Sequence, residues 1–143
     1  QVDASKGMTE WAKENMKLCG LENNYIRFIV DDCLKFVERE YRRGNKYDAI
    51  VMDPPSFGRG ANGEVWNIEE SLFKLIKLCE EVLSDNPLFF LINSYTTGLQ
   101  PAVLSYMVNH IEPYPLPIIS TTLWAVGMSA PGKAWSCLLP NDH

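Results

Sequence analysis

The chain has 143 residues, the size of one domain, with room for a core that buries roughly 68% of the unfolded surface. Hydrophobic residues make up 46% and charged residues 22%, which excludes a disordered chain and a fibrous repeat. Thirteen Lys and Arg stand against 18 Asp and Glu, a net charge of -5, so there is no broad basic face for gripping a phosphate backbone.

After Gln1-Val2-Asp3, which reads as the end of a strand, Met8, Trp11, Ala12, Met16 and Cys19 follow at helical steps, with Gly20 as a stop. The β-branched run Tyr25 to Val30 predicts a second strand ended by Asp31-Asp32. Leu34, Val37 and Tyr41 then predict a helix that closes before Gly44-Asn45. Tyr47 to Met52 predicts a third strand, continuous enough to be buried on both faces, and Asp53-Pro54-Pro55 ends it. Residues 56 to 67 read as a loop, and Leu72, Leu75, Ile76, Cys79 and Leu83 mark a helix. Leu88 to Ile92 predicts a fourth strand, and Leu99 to His110 a helix with Pro101 in its first turn. The alternation implies right-handed crossovers onto a mostly parallel α/β sheet with helices on its faces. Pro113 to Leu123 and Lys133 to Leu139 predict a closing antiparallel hairpin of one or two strands.

Cys19, Cys33, Cys79 and Cys137 form no C-x-x-C pair and share no metal-ligand spacing with His110 or His143, so they read as reduced, buried small hydrophobes and no metal is expected. No apolar run reaches the roughly 18 residues that span a bilayer, and no basic-then-apolar leader opens the chain; the expectation is a cytoplasmic protein with no membrane partner.

In open α/β sheets, ligands bind beyond the carboxyl ends of the strands. Polar residues stand at each predicted end: Asp3; Asp31 and Asp32; Asp53; and Asn93 with Ser94 and Tyr95. A carboxylate placed like Asp3 accepts ribose hydroxyl protons; alternatively Asp3, or Ser5 after it, caps the helix. Asp31 and Asp32 read first as helix caps, with an acceptor for an adenine amino group as the alternative. Two prolines directly after a buried strand stiffen the backbone, so Asp53-Pro54-Pro55-Ser56-Phe57 can aim a carboxylate and carbonyl oxygens at a target N–H, with Phe57 as a stacking platform. The other reading is a plain turn with Phe57 in the core. Trp124 and Trp135 read as core residues.

Val2-Asp3-Ala4-Ser5, Asp32-Cys33, Asp53 to Gly60 and Asn93 to Leu99 together resemble the class I S-adenosylmethionine-dependent methyltransferases, over roughly residues 1 to 110. More narrowly the chain is similar to the bacterial group related to large-subunit ribosomal RNA methyltransferases, in which the loop often continues as Gly-Arg-Gly and then Gly63-Glu64-Val65-Trp66. The resemblance implies a Rossmann-like fold and S-adenosylmethionine as cofactor. It implies that Asp3 binds the ribose, that Ala4 and Ser5 lie by the adenine, and that Asp32 accepts the adenine amino proton with Cys33 beside it. Asp53, Pro54, Pro55, Ser56 and Phe57 would face both the methyl donor and the acceptor. Arg59 reads either as a phosphate contact or as a solvated loop residue.

Two departures shape the expectation. The glycine-rich loop that precedes the ribose carboxylate in this fold is not in the chain, and residues 1–143 are therefore expected to be a single partial domain lacking the first strand. That strand would lie between those ending at Asp3 and Asp53. No cysteine stands in the proline loop, where Ser56 is, or after the next strand, where Ser94 is, so attack on carbon 5 of a pyrimidine has no thiolate. The expected reaction is methyl transfer to a base nitrogen of RNA, with ribosomal RNA as the partner and an appended basic domain to hold it. A homodimer is left open. The alternatives are a noncatalytic nucleotide-binding or interaction module, a methyltransferase for a substrate other than RNA, and, more weakly, a nicotinamide-dependent dehydrogenase.

Overall fold

The computed structural model describes residues 1–60, 63–109 and 118–121. Strand β1 (Val2–Asp3) leads into helix α1 (Lys6–Leu18), which starts where Ser5 Oγ accepts the Met8 N–H at 3.3 Å. Strand β2 (Ile29–Val30) runs parallel to β1, with Val2 opposite Ile29 and Asp3 opposite Val30. Helix α2 (Cys33–Arg43) follows and stops at Gly44, whose φ of 70° is the left-handed conformation that a helix end asks of glycine.

Strand β3 (Ala49–Met52) is shorter than the predicted 47–52 run, because Tyr47 makes only an isolated bridge to Leu83. The stretch expected as a plain loop holds an antiparallel hairpin of β4 (Phe57–Arg59) and β5 (Val65–Asn67). Its β-prone Phe57, Val65 and Trp66 are interleaved with Gly58 and Gly60, which hid the alternation. Helix α3 (Ile68–Glu81) starts where Asn67 Oδ1 accepts the Glu69 N–H at 3.1 Å, with Glu69 and Glu70 at the positive end of its dipole. Strand β6 (Phe89–Asn93), helix α4 (Pro101–Asn109) and strand β7 (Ile118–Thr121) complete the described elements.

Strands β3, β6 and β7 form one sheet in that order, and both pairings are parallel. Strand β7 lies in the first expected arm of the closing hairpin and runs parallel to β6, as a crossover through α4 gives. The second expected arm, 133–139, and the readings at Trp124 and Trp135 lie outside the described residues. Strands β1 and β2 form a separate two-stranded sheet with no ladder to β3.

The core is asymmetric. Ile68, Leu72, Leu75, Ile76 and Cys79 line one face of α3 and pack on Phe90 and Ile92 of β6 and on Leu104 and Val108 of α4. Each such large side chain contributes about 1.5–3 kcal/mol on burial, against about 1 kcal/mol for a cap, so packing rather than capping holds α3. On α1 the predicted apolar stripe is half open: Thr9 is its buried residue, while Met8 is 41% and Trp11 37% exposed. The cysteines also depart from expectation. Cys79 is buried, but Cys19 and Cys33 are exposed because they sit at helix ends, where the chain turns outward; Cys137 lies outside the described residues. No helix among the described residues is long and apolar enough to cross a membrane.

Candidate functional site

The site is built on strand ends. Asp3 follows β1 directly, and its Oδ1 accepts the Ser5 N–H at 2.7 Å while Ser5 caps α1. Both residues thus make the local turn that capping predicts, and Asp3 Oδ2 has no protein hydrogen bond among the described residues. The Asp3 carbonyl accepts the Asp31 N–H at 3.0 Å, which fixes the two strand ends side by side.

The structure separates the roles of Asp31 and Asp32. Asp31 is committed to the frame, since its carboxylate accepts the Asp32 N–H at 2.9 Å and pairs with Arg39. Asp32 caps α2 through Oδ1, which takes the Lys35 N–H at 2.9 Å, and it also faces a cavity of about 130 Å³. Ala4 and Val30 give that cavity apolar surface, Asp31 and Asp32 give it carboxylates, and Lys35 with Gly60 and Glu64 completes the lining. This volume is enough for one flat heterocycle. An apolar wall beside a carboxylate oxygen that the helix cap leaves unused suits a ring with an exocyclic amino group.

Cys33 stands next to this cavity, with its Sγ 3.8 Å from the Val2 carbonyl. Desolvation, with the charges of Asp3 and Asp32 added, pushes its thiol up to about 11. Burial pushes Cys79 up to about 12. Both are protonated thiols at neutral pH and are poor nucleophiles.

The second half of the site follows β3. Pro54 is buried and anchors the loop, while Asp53, Pro55, Ser56 and Phe57 are exposed, Phe57 at 58%. Phe57 is therefore not a core residue. Partial desolvation lifts the Asp53 carboxyl above the ordinary carboxylate range. Trp66 Nε1 donates to the Pro55 carbonyl at 2.6 Å, and Ser56 and Thr96 share a hydrogen bond between hydroxyls at 2.7 Å. The loops after β3 and β6 are thus joined to each other and to the hairpin. The Ile68 N–H adds a bond to the Ser56 carbonyl at 3.1 Å.

Of the predicted residues, the structure brings Asp3, Ala4, Ser5, Asp32 and Cys33 together, with Ala4 and Asp32 in the cavity itself. Asp53 to Phe57 form a second cluster, which continues into the hairpin whose Gly60 and Glu64 reach the cavity. Sequence reasoning missed Lys35, Glu64 and Thr96, and missed Trp66 as the partner of Pro55. The strings from Gly63 to Trp66 and from Asn93 to Leu99 held Glu64, Trp66 and Thr96 without giving them these roles. Among the described residues no group of three or more His, Cys, Asp or Glu side chains is placed to hold a metal.

The SAM-dependent methyltransferase from Agrobacterium tumefaciens superposes on 77% of this chain with a TM-score of 0.73 and 42% identity. The chain has the class I methyltransferase fold. This methyltransferase fold is shared, at 24% identity and a TM-score of 0.65 over 76% of the chain, with SMU.776 complexed with SAH. In sequence the chain resembles the ribosomal RNA large-subunit methyltransferases. It is 27% identical over 119 residues to methyltransferase K of Neisseria meningitidis and 39% identical over 56 residues to methyltransferase I of Klebsiella pneumoniae. The chain spans about a third of the length of the first of these relatives and 14% of the second. No family model matches it.

Proposed function

We propose that the protein is an S-adenosylmethionine-dependent methyltransferase that acts on a base nitrogen of ribosomal RNA. The observation that carries this reading is the Asp53–Phe57 loop, held rigid by Trp66 and Thr96 and continuous with the hairpin that walls an adenine-sized cavity. Names of relatives supply the RNA and cofactor classes: large-subunit ribosomal RNA methyltransferases in sequence and a SAM-dependent methyltransferase in structure.

Asp3 would bind the ribose, Asp32 would accept a hydrogen bond from the adenine amino group, and Ala4, Ser5 and Cys33 would flank the ring. When bound, the cofactor supplies a methyl group on a sulfonium. Asp53 and the Pro54 carbonyl orient the acceptor N–H, and Phe57 offers its exposed ring to the flat face of the base. The Pro55 carbonyl is already taken by Trp66, so it holds the loop rather than the substrate. The enzyme's contribution is alignment and hydrogen bonding. High-lying thiols on Cys33 and Cys79 support nitrogen over carbon 5 as acceptor. With a net charge of -5, the chain leaves the hold on RNA to a basic domain elsewhere in the protein, and the place of action is cytoplasmic.

The test is incubation with methyl-labelled cofactor and ribosomal RNA, followed by nucleoside mass spectrometry. An N-methylated base that disappears with Asp53→Ala, while ultraviolet crosslinking of the cofactor persists, is the expected result. Protein-dependent 5-methylcytosine overturns the nitrogen assignment. Crosslinking without transfer by the wild type favours a noncatalytic binding module.

A further inference from the structure

Two charged residues on the lining of the cavity have no part in the reading above. Lys35 lies in the first turn of α2, and Glu64 immediately precedes β5. They are separated by 29 positions, yet Lys35 Nζ meets Glu64 Oε1 at 2.5 Å. Lys35 is tied at both ends, because its backbone N–H is held by Asp32, the predicted adenine acceptor, at 2.9 Å. Glu64 is tied as well: its carbonyl accepts the Gly60 N–H at 2.8 Å, across the neck of the hairpin. A Cβ on Gly60 would stand 2.5 Å from Glu64 Oε2 and 3.3 Å from its Cβ, so glycine is what lets this side chain lie where it does. The other ion pairs of α2 bind it to β2's end, to itself or to α3. Of the ion pairs among the described residues, Lys35–Glu64 is the one that joins α2 to the hairpin.

We propose that Lys35 and Glu64 form a charge clasp that holds the β4–β5 hairpin as the outer wall of the adenine site and slows release of the adenosine-bearing ligand. The proposal rests on the cofactor reading above. The two side chains keep 54% and 26% of their surface in solvent, so the clasp is a weak one that opens and closes without unfolding anything. Its effect belongs in the dissociation rate, since the inner wall of Ala4, Val30, Asp31 and Asp32 is held by the β1–β2 ladder and the α2 cap and not by the clasp.

The measurement is calorimetric affinity and stopped-flow dissociation of S-adenosylhomocysteine from the protein, at low and high salt. Lys35→Glu and Glu64→Lys should each weaken binding three- to fivefold, about 0.7–1 kcal/mol at 1.4 kcal/mol per tenfold, through faster dissociation. The double exchange, with both charges swapped, should recover most of the loss. Gly60→Ala, which displaces the Glu64 carboxylate without touching a charge, should shift the rate the same way. Added salt should speed dissociation from the wild type and slow it in the single variants, where like charges would face each other. Single variants within twofold of a wild type that binds normally overturn the clasp and leave the cofactor reading intact. Weakened singles with no recovery in the double exchange also overturn it, because the charges then act separately. A wild type that binds no S-adenosylhomocysteine overturns the cofactor reading, and the clasp with it.

Discussion

Asp53 is held in a state that its surroundings disfavour. Its folded pKa is raised, so it stabilises the fold most below the ordinary aspartate range and loses that contribution as pH rises through the folded value; at neutral pH the ionised carboxylate is a net cost. Asp53→Asn should therefore raise the melting temperature at pH 7 while cutting methyl transfer about 10- to 100-fold, as expected of losing the carboxylate that would orient the acceptor N–H. The acid limb of the wild-type kcat/KM profile should sit above the ordinary aspartate range, and the Asn variant should lack that limb. Trp66 acts one step removed, through the Pro55 carbonyl. Trp66→Phe keeps most of the ring and removes the donor, at about 1 kcal/mol of stability. A lower kcat with unchanged affinity for S-adenosylhomocysteine is the signature of that positioning role. The carboxylates at strand ends were legible because Asp and Pro punctuate apolar runs. The Trp66 and Thr96 contacts were not, because they join positions 11 and 40 residues apart that no local pattern relates.

At the scale of elements, the junction of α2 with β3 turns on one buried acid. Glu40 Oε2 accepts from Tyr47 Oη at 2.5 Å and from Asn45 Nδ2 at 2.7 Å, while Oε1 accepts from Arg43 at 2.8 Å. The Tyr47 and Asn45 bonds hold its carboxyl down at about 2. A depressed carboxylate stabilises the fold fully above the ordinary glutamate value and loses that contribution as pH falls through about 2. Glu40→Ala should cost about 2–3 kcal/mol in urea unfolding at neutral pH, the worth of charged hydrogen bonds with their partners stranded. That difference from wild type should shrink in acid. Helix ends were readable from Ser5, Asp32 and Gly44, whose capping chemistry is local. The β4–β5 hairpin was not readable, since its glycines interrupt the two-residue alternation, and the direction of β7 depends on a crossover rather than on its own residues.

For the molecule as a whole, the alternation of strands and helices was legible because periodicity is a property of each segment. Which strands pair is not, and the described strands divide into β1–β2, β3–β6–β7 and the β4–β5 hairpin, with no ladder between the first two. The buried apolar cluster belongs to the second group, through α3, β6 and α4. Segments with few enclosed apolar side chains open at lower free energy than those that carry the core. Amide exchange should therefore be fast in α1 and β2 and slowest in α3 and β6; uniform protection across both groups would contradict this.

Among the described residues, the same asymmetry makes optical reporters of two of the four tryptophans. Trp11 stands on the thinly covered α1, and Trp66 packs against the main cluster. In variants that retain one indole apiece, the Trp11 emission should shift at a lower urea concentration than the Trp66 emission, so that a single melting curve would average two events of different origin.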